Sequence, residues 1–143
     1  MKNKFFAFFI VFIFFSHESF ANQFIFETKE IKIVESGNII YAKDGTAKSS
    51  DGLLKIIAQN FEYNKTLDIL KAMNGVAFVE QNNLEIEFNK AIFNQNNLTV
   101  SINGDVKIIE RKKNLVIETE TVNYDRNLNI FRSSSETIYK DKN

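Results

Sequence analysis

The chain has 143 residues, with 18 lysines and arginines against 18 aspartates and glutamates, one histidine, and neither cysteine nor proline. This length is typical of one domain, and the balanced charge excludes the basic surface that nucleic-acid-binding proteins present. Because no disulfide can form, a hydrophobic core must stabilise the fold alone, which a mature chain of about 120 residues allows.

Residues 1–21 are predicted to be a cleaved secretory signal peptide. Two lysines precede eleven consecutive apolar residues (5–15), and the small residues Ser19 and Ala21 stand before a cleavage site. A helix of that length spans roughly 16 Å, about half of the hydrocarbon core of a membrane. Cleavage is therefore favoured over the alternative, an uncleaved anchor. We expect a mature chain, 22–143, in the periplasm of a Gram-negative bacterium.

The mature chain lacks the residues of most catalytic and metal sites. Its histidine, His17, leaves with the signal, so neither Ser-His-Asp nor Cys-His arrangements nor the usual zinc sites can be built. No P-loop, dinucleotide-binding or calcium-binding motif is present in the sequence. Glu118 and Glu120 alternate at strand spacing, which favours a solvated face over a catalytic acid pair. The sequence predicts a protein that is not an enzyme and needs no cofactor or metal.

From residue 24 onward, apolar and polar residues alternate as in strands that have one buried face. Similar ten-residue segments begin four times, at 24–33, 54–63, 84–93 and 115–124. Turn residues follow each segment, as "ESGN", "NKT", "NQNN" and "DRN". Two strands in each unit predict about eight antiparallel strands, stacked as a repeat in which no unit buries its face alone.

The alternation changes parity in the middle of each segment, between its fifth and eighth positions. In an ordinary strand this change would turn the second half outward. A β-bulge or a sheet corner would return both halves to the same interior. Gly45, Gly75 and Gly104 recur at nearly constant spacing, with Ser134 in the fourth unit, and suggest bends. The predicted fold is all-β: an antiparallel, bent-sheet jelly roll with an apolar interior.

Three stretches resemble the OstA-like family of periplasmic lipopolysaccharide-transport proteins, which includes LptA and the N-terminal domain of LptD. They are "FETKEIKIVESGNIIYAKDGTA" from residue 26, "AQNFEYNKTLDILKAMNGVAFV" from residue 58 and "VSINGDVKI" from residue 100. The second contains an A-x-x-F-x-Y pattern, met by Ala58, Phe61 and Tyr63, and the third an x-G-x-V step at 103–106. The resemblance covers residues 24–139, essentially the whole mature chain.

The resemblance implies an open, V-shaped sheet whose groove shelters the acyl chains of lipid A. It also implies that lipopolysaccharide and other lipopolysaccharide-transport proteins are partners, that subunits add edge strands to one another head to tail, and that an inner-membrane ATPase supplies energy. The open edges would be the first strand, near 24–33, and the last, near 129–139. The chain departs from the family in its short length, its lack of proline and Ser134.

Fifteen apolar residues are predicted to face the interior and, by the resemblance, to contact lipid. They are Phe26, Ile31, Ile33, Ile56, Phe61, Tyr63, Ile86, Phe88, Phe93, Ile102, Val106, Ile108, Ile117, Val122 and Tyr124. An ordinary sandwich core would show the same alternation, so sequence patterning leaves both interpretations open.

Three functions follow from these interpretations. The first is a periplasmic lipopolysaccharide carrier. The second is a membrane-anchored or translocon-associated relative of the same fold. The third is a structural or adhesive β-repeat protein that has no lipid ligand.

Overall fold

The computed structural model describes residues 24–80 and 83–141, so the predicted signal peptide lies outside the described residues. These residues form one nine-stranded antiparallel sheet in which each strand from β1 to β7 pairs with the next, while β9 also pairs with β7. The strands are β1 (Phe24–Val34), β2 (Ile39–Ser49), β3 (Leu54–Asn64), β4 (Ile69–Val79), β5 (Leu84–Asn94), β6 (Thr99–Glu110), β7 (Leu115–Asp125), β8 (Ile130–Arg132) and β9 (Thr137–Asp141).

A single 3₁₀ turn, Glu35–Gly37, joins β1 to β2. Over the described ranges, no helix has the length and apolar character needed to cross a membrane. The predicted fold class, an antiparallel bent-sheet jelly roll, is confirmed.

Each long strand bends at the same level, as the parity change predicts. In β3 the buried side chains are Leu54, Ile56 and Ala58, two residues apart, and the next is Phe61, three residues further. The pairing of β3 with β4 keeps one register across this step. Directly opposed residues share a face, so the bend forms a corner that runs across the whole sheet. Both halves of every strand therefore face one interior.

The backbone at the corner adopts the left-handed conformation in β2, β4 and β6. Asp44 and Asn74 have φ of 49° and 51°, values that Asp and Asn accept more readily than most residues. In β6 two residues take this role, Gly104 and Asp105, with φ of 78° and 48°. The register shifts there, between Asn103 and Val106, which marks a bulge. This extra residue explains why the fourth unit begins 31 residues after the third.

Gly45 and Gly75 serve a different purpose from Gly104. A Cβ at Gly45 would overlap the carbonyl oxygen of Glu27, and one at Gly75 would overlap that of Ile57. Neither glycine has positive φ, so the neighbouring backbone rather than the dihedral angle requires them. The three glycines of the repeat are therefore not structurally equivalent.

The eighth strand of the predicted repeat is divided in two. β8 and β9 both pair with β7, and the corner interrupts them over residues 133–136, which include Ser134. Serine hydroxyls replace part of the main-chain ladder: Ser135 Oγ accepts from the Thr121 N–H at 3.0 Å, and Ser133 Oγ lies 2.8 Å from Thr119 Oγ1. The prediction of one continuous last strand near 129–139 is wrong at this point.

The corner divides the sheet into two walls. Wall 1 comprises 24–28, 45–49, 54–58, 75–79, 84–88, 106–110, 115–119 and 137–141. Wall 2 comprises 31–34, 39–42, 61–64, 69–72, 91–94, 99–102, 122–125 and 130–132. The turns at the free rim of wall 1 are 50–53 and 111–114, and Glu80 and Asn83 also lie at this rim. The turns at the free rim of wall 2 are 35–38, 65–68, 95–98 and 126–129.

Candidate functional site

The interior between the two walls is the candidate site, and the strand register places all fifteen predicted residues on its lining face. Wall 1 carries Phe26, Ile56, Ile86, Phe88, Val106, Ile108 and Ile117, and wall 2 carries Ile31, Ile33, Phe61, Tyr63, Phe93, Ile102, Val122 and Tyr124. Sequence patterning left out other side chains of this face, namely Phe24, Ile40, Leu54, Leu70, Val79, Leu84, Val100 and several alanines. The alanines carry little apolar bulk, so alternation alone does not single them out.

In the middle of the molecule the two walls pack directly against each other. Ile56 in wall 1 is 0% exposed and Ile102 in wall 2 is 1% exposed. Both belong to one cluster of buried apolar residues that draws on every long strand. Here the interior is a closed core.

The two walls are offset along the sheet by about two strands. Phe26 of β1, in wall 1, meets Phe61 of β3, in wall 2, with ring centroids 5.8 Å apart. Phe24 meets Tyr63 in the same way, edge to face at 5.5 Å. Each strand of wall 1 therefore faces a later strand of wall 2. The beginning of wall 2 and the end of wall 1 consequently have no opposite wall.

Those two regions expose apolar side chains of the inner face. Ile31 and Ile33, at the beginning of wall 2, are 55% and 57% exposed, although their cross-strand partners Ala42 and Ile40 are buried. At the end of wall 1, Tyr139 lies opposite the half-buried Ile117 and is exposed. The interior thus reaches solvent at diagonally opposite ends of the molecule.

A cavity of about 130 Å³ remains between the walls near the free rim. Wall 1 contributes Leu54, Ala77, Val79 and Ile86 to its lining, and wall 2 contributes Phe93, Val100, Ile102 and Tyr124. Engineered apolar cavities of about 150 Å³ stay dry and bind benzene or xenon. The cavity therefore suits a short stretch of hydrocarbon.

Three rim residues complete the lining of this cavity: Leu53, Leu98 and Arg126. The guanidinium of Arg126 donates from Nη1 to Gln95 Oε1 at 2.8 Å, and its Nη2 lies 3.8 Å from Asp51 Oδ2. Asp51 belongs to the rim of wall 1, whereas Gln95 and Arg126 belong to the rim of wall 2. We call these three residues the rim clasp, because they connect the two rims across the opening.

The carboxylate of Asp51 is held ionised by its surroundings. Burial alone would raise its pKa, but hydrogen bonds from Ser49 Oγ and the Leu53 N–H, together with the charge of Arg126, outweigh burial. The pKa of Asp51 therefore lies below its usual value of 3.8. Patterning did not single out the rim clasp, because "DRN" and "DG" are common turn sequences and the contact joins distant turns.

Tyr63 combines an apolar ring with a polar end at the rim. Its hydroxyl donates to Asp68 Oδ1 at 2.8 Å, and burial together with that carboxylate raises its pKa above the ordinary range. The hydroxyl therefore stays protonated and acts as a hydrogen-bond donor. In the described ranges, no three His, Cys, Asp or Glu side chains come together in an arrangement that suits a metal ion.

Comparison with known protein structures gives a clear similarity. The fold matches the crystal structure of LptH from Pseudomonas aeruginosa, "the LptA homologous periplasmic component of the conserved lipopolysaccharide transport device". The match has a TM-score of 0.69 and covers 83% of this chain and 94% of that one, at 9% sequence identity. No protein-family model and no curated protein sequence matches the chain. The likeness shows the fold, and it is the fold that the OstA-like resemblance predicts.

Proposed function

We propose that the protein is a periplasmic lipopolysaccharide-transport component that shelters the acyl chains of lipid A between its two walls on the way to the outer membrane. The observation that carries this proposal is the inner face itself, an apolar surface that runs through the molecule and is uncovered at both ends. The likeness of fold to LptH supports the same role.

The physical need for such a surface follows from the hydrophobic effect. Each methylene group moved from water into an apolar environment gains about 0.8 kcal/mol, so a lipid with several acyl chains does not cross an aqueous compartment unprotected. An ordinary sandwich core would have no reason to leave Ile31 and Ile33 uncovered on its inner face. A lipid chain laid along these residues would continue the surface that Phe61 and Tyr63 form deeper inside.

Separation of the walls admits more hydrocarbon than the present cavity holds. The sheet is open, because within the described ranges β1 pairs only with β2 and the main-chain ladders run inside each wall. Opening the walls about the corner therefore breaks side-chain packing and the rim clasp, but no ladder hydrogen bond. Bound acyl chains would replace the apolar contacts that are lost.

The outer edges of the sheet offer a route to assembly. Within the described ranges, β1 pairs only with β2, and β8 and β9 pair only with β7, so each end of the sheet has an outer edge that a strand of another chain can extend. Lys29, Glu30 and Lys32 make the β1 edge charged, which opposes indiscriminate pairing. We propose that other lipopolysaccharide-transport proteins, or further copies of this chain arranged head to tail, join there. The uncovered inner surfaces would then meet from one subunit to the next.

The proposal is tested by photo-crosslinking in cells, with one probe on each face of β5. Ile86 lines the cavity, and its neighbour Glu87 belongs to the outer face. We expect a lipopolysaccharide adduct at position 86 and none at position 87. Equal labelling of the two positions, or no labelling at either, would contradict the proposed function.

A further inference from the structure

The rim clasp places one cationic group over an otherwise apolar cavity. Arg126 lines this cavity together with Leu53 and Leu98, while the lining below them is aliphatic and aromatic. Ion pairs elsewhere in the described residues join strands or turns of the same wall or meet at the corner, as Lys71–Glu62 and Lys140–Glu118 do. Among the ion pairs of the described residues, Arg126–Asp51 alone links wall 1 to wall 2.

The contact between Arg126 and Asp51 is loose. At 3.8 Å the nitrogen and oxygen attract each other but do not form a hydrogen bond. Oδ1 of Asp51 is satisfied without it, because this oxygen accepts from the Leu53 N–H at 3.0 Å and from Ser49 Oγ. A guanidinium has five N–H donors in a planar fork, more than one amide oxygen and one distant carboxylate can use. Arg126 is therefore able to exchange Asp51 for a better anionic partner.

A second unused donor lies beside the first. Gln95, the residue whose Oε1 binds Arg126, is only 6% exposed, and its Nε2 finds no hydrogen-bond acceptor within the described part of the chain. Buried polar groups are nearly always paired, so an unpaired buried amide next to a cation calls for an acceptor. Once the walls separate at the rim, an anionic oxygen bound to Arg126 would satisfy both residues.

We propose that the rim clasp is a headgroup site for an anionic amphiphile. The ligand would place an alkyl chain in the cavity and a phosphate head at the rim. There the head would displace Asp51, bind the Arg126 fork and accept a hydrogen bond from Gln95 Nε2. Arginine suits this role because its planar fork matches phosphate oxygens two at a time. The inference rests on the proposed function and adds to it which part of the lipid is recognised, and where.

The proposal also couples recognition to opening. When the phosphate head of a ligand binds Arg126 in place of Asp51, the one ion pair that connects the rims among the described residues is lost. Neutral amphiphiles leave that pair intact, so they must separate the walls against it. The site therefore favours ligands that carry both an alkyl chain and an anionic head.

Binding of simple amphiphiles to the purified, exported protein tests this inference. The probes are dodecyl phosphate, dodecyl maltoside and inorganic phosphate, each titrated calorimetrically below its micellar concentration. We expect dodecyl phosphate to bind about tenfold more tightly than dodecyl maltoside, since charge-assisted hydrogen bonds distinguish the two heads. Inorganic phosphate should bind far more weakly than dodecyl phosphate.

Three variants test whether the preference for the phosphate head depends on the rim clasp. Arg126→Gln should reduce the ratio of the affinities for dodecyl phosphate and dodecyl maltoside to about twofold or less. Arg132→Gln, which changes an exposed arginine on β8, should leave this ratio unchanged. Asp51→Asn removes the competing carboxylate and should tighten binding of dodecyl phosphate. A clasp that only holds the walls together predicts an equal gain for dodecyl phosphate and dodecyl maltoside in Asp51→Asn, whereas a headgroup site predicts a larger gain for dodecyl phosphate. Asp51→Asn also keeps the test decisive if Arg126→Gln does not fold, which circular dichroism would show.

The inference is overturned if the wild type does not distinguish the two heads, if Arg126→Gln keeps the preference, or if inorganic phosphate binds as tightly as dodecyl phosphate. The last outcome would indicate a site for a free anion. These failures differ from failure of the proposed function. If lipopolysaccharide crosslinks at position 86 but the protein does not distinguish the two heads, only the headgroup site is contradicted. Absence of both the adduct and any alkyl binding removes the carrier function itself.

Discussion

The middle of the inner face and its β1 end have the same sequence pattern but opposite environments. Ile102 and Ile33 both occupy wall 2, both follow a polar residue of the outer face, and both face the interior. Ile102 is buried because strands of wall 1 lie over it, whereas Ile33 is exposed because the offset between the walls leaves nothing opposite it. Alternation decides which face a side chain joins. The opposite wall decides whether that face is a core or a binding surface.

Truncation of an inner-face isoleucine should give the largest difference in stability between the two regions. Ile102→Ala enlarges a cavity in a buried core and should lower the free energy of unfolding by about 2–5 kcal/mol. Ile33→Ala removes an exposed side chain and should lower it by less than about 1 kcal/mol. Urea denaturation followed by circular dichroism measures both. Similar losses for the two variants would show that the β1 end is as well covered as the middle.

Glycine substitutions at the corner should also cost more stability in the middle of the sheet than beside β1, although by a smaller difference. A Cβ at Gly75 would overlap Ile57 and Ala58 in the middle of the sheet, where strands lie on both sides. We expect Gly75→Ala to cost about 1–3 kcal/mol, as overpacking does. A Cβ at Gly45 would press on Thr28 of β1, an end strand that is free to shift.

Gly45→Ala should therefore cost less than Gly75→Ala in the same urea experiment. A larger cost for Gly45→Ala would mean that β1 is held as rigidly as the central strands.

Acid should weaken the rim clasp. The folded-state pKa of Asp51 lies below its usual value, so its ionised form stabilises the fold above that value. This contribution is lost as the pH falls below about 4, through the lowered folded-state pKa. The melting temperature of the wild type should therefore fall more steeply over this range than that of Asp51→Asn. Parallel curves for the two proteins would show that the rim clasp does not stabilise the closed walls.

The local structure follows closely from the sequence. The predicted segments 24–33, 54–63, 84–93 and 115–124 each end one residue before the observed strand does. The strands could be predicted because a period of two with one buried face leaves few alternatives. The corner could be predicted because an odd step in four places needs a common structural cause.

Long-range features could not be predicted in the same way. The offset of the walls, which exposes Ile31 and Ile33, depends on how two halves of the sheet cross, and no local pattern contains it. The division into β8 and β9 arises where serine hydroxyls replace ladder bonds. Contact between Asp51 and Arg126 joins two turns far apart in the chain, each with an ordinary turn composition.

The most direct test of the central claim, that the inner face carries lipid, is a photo-crosslinking scan along β1. Ile33 is exposed on the inner face, and Lys32 is exposed on the outer face one residue away, so access to solvent does not distinguish them. We expect lipopolysaccharide adducts at position 33, without any need for the walls to separate, and none at position 32. Adducts of equal yield at both positions, or at neither, would contradict this claim.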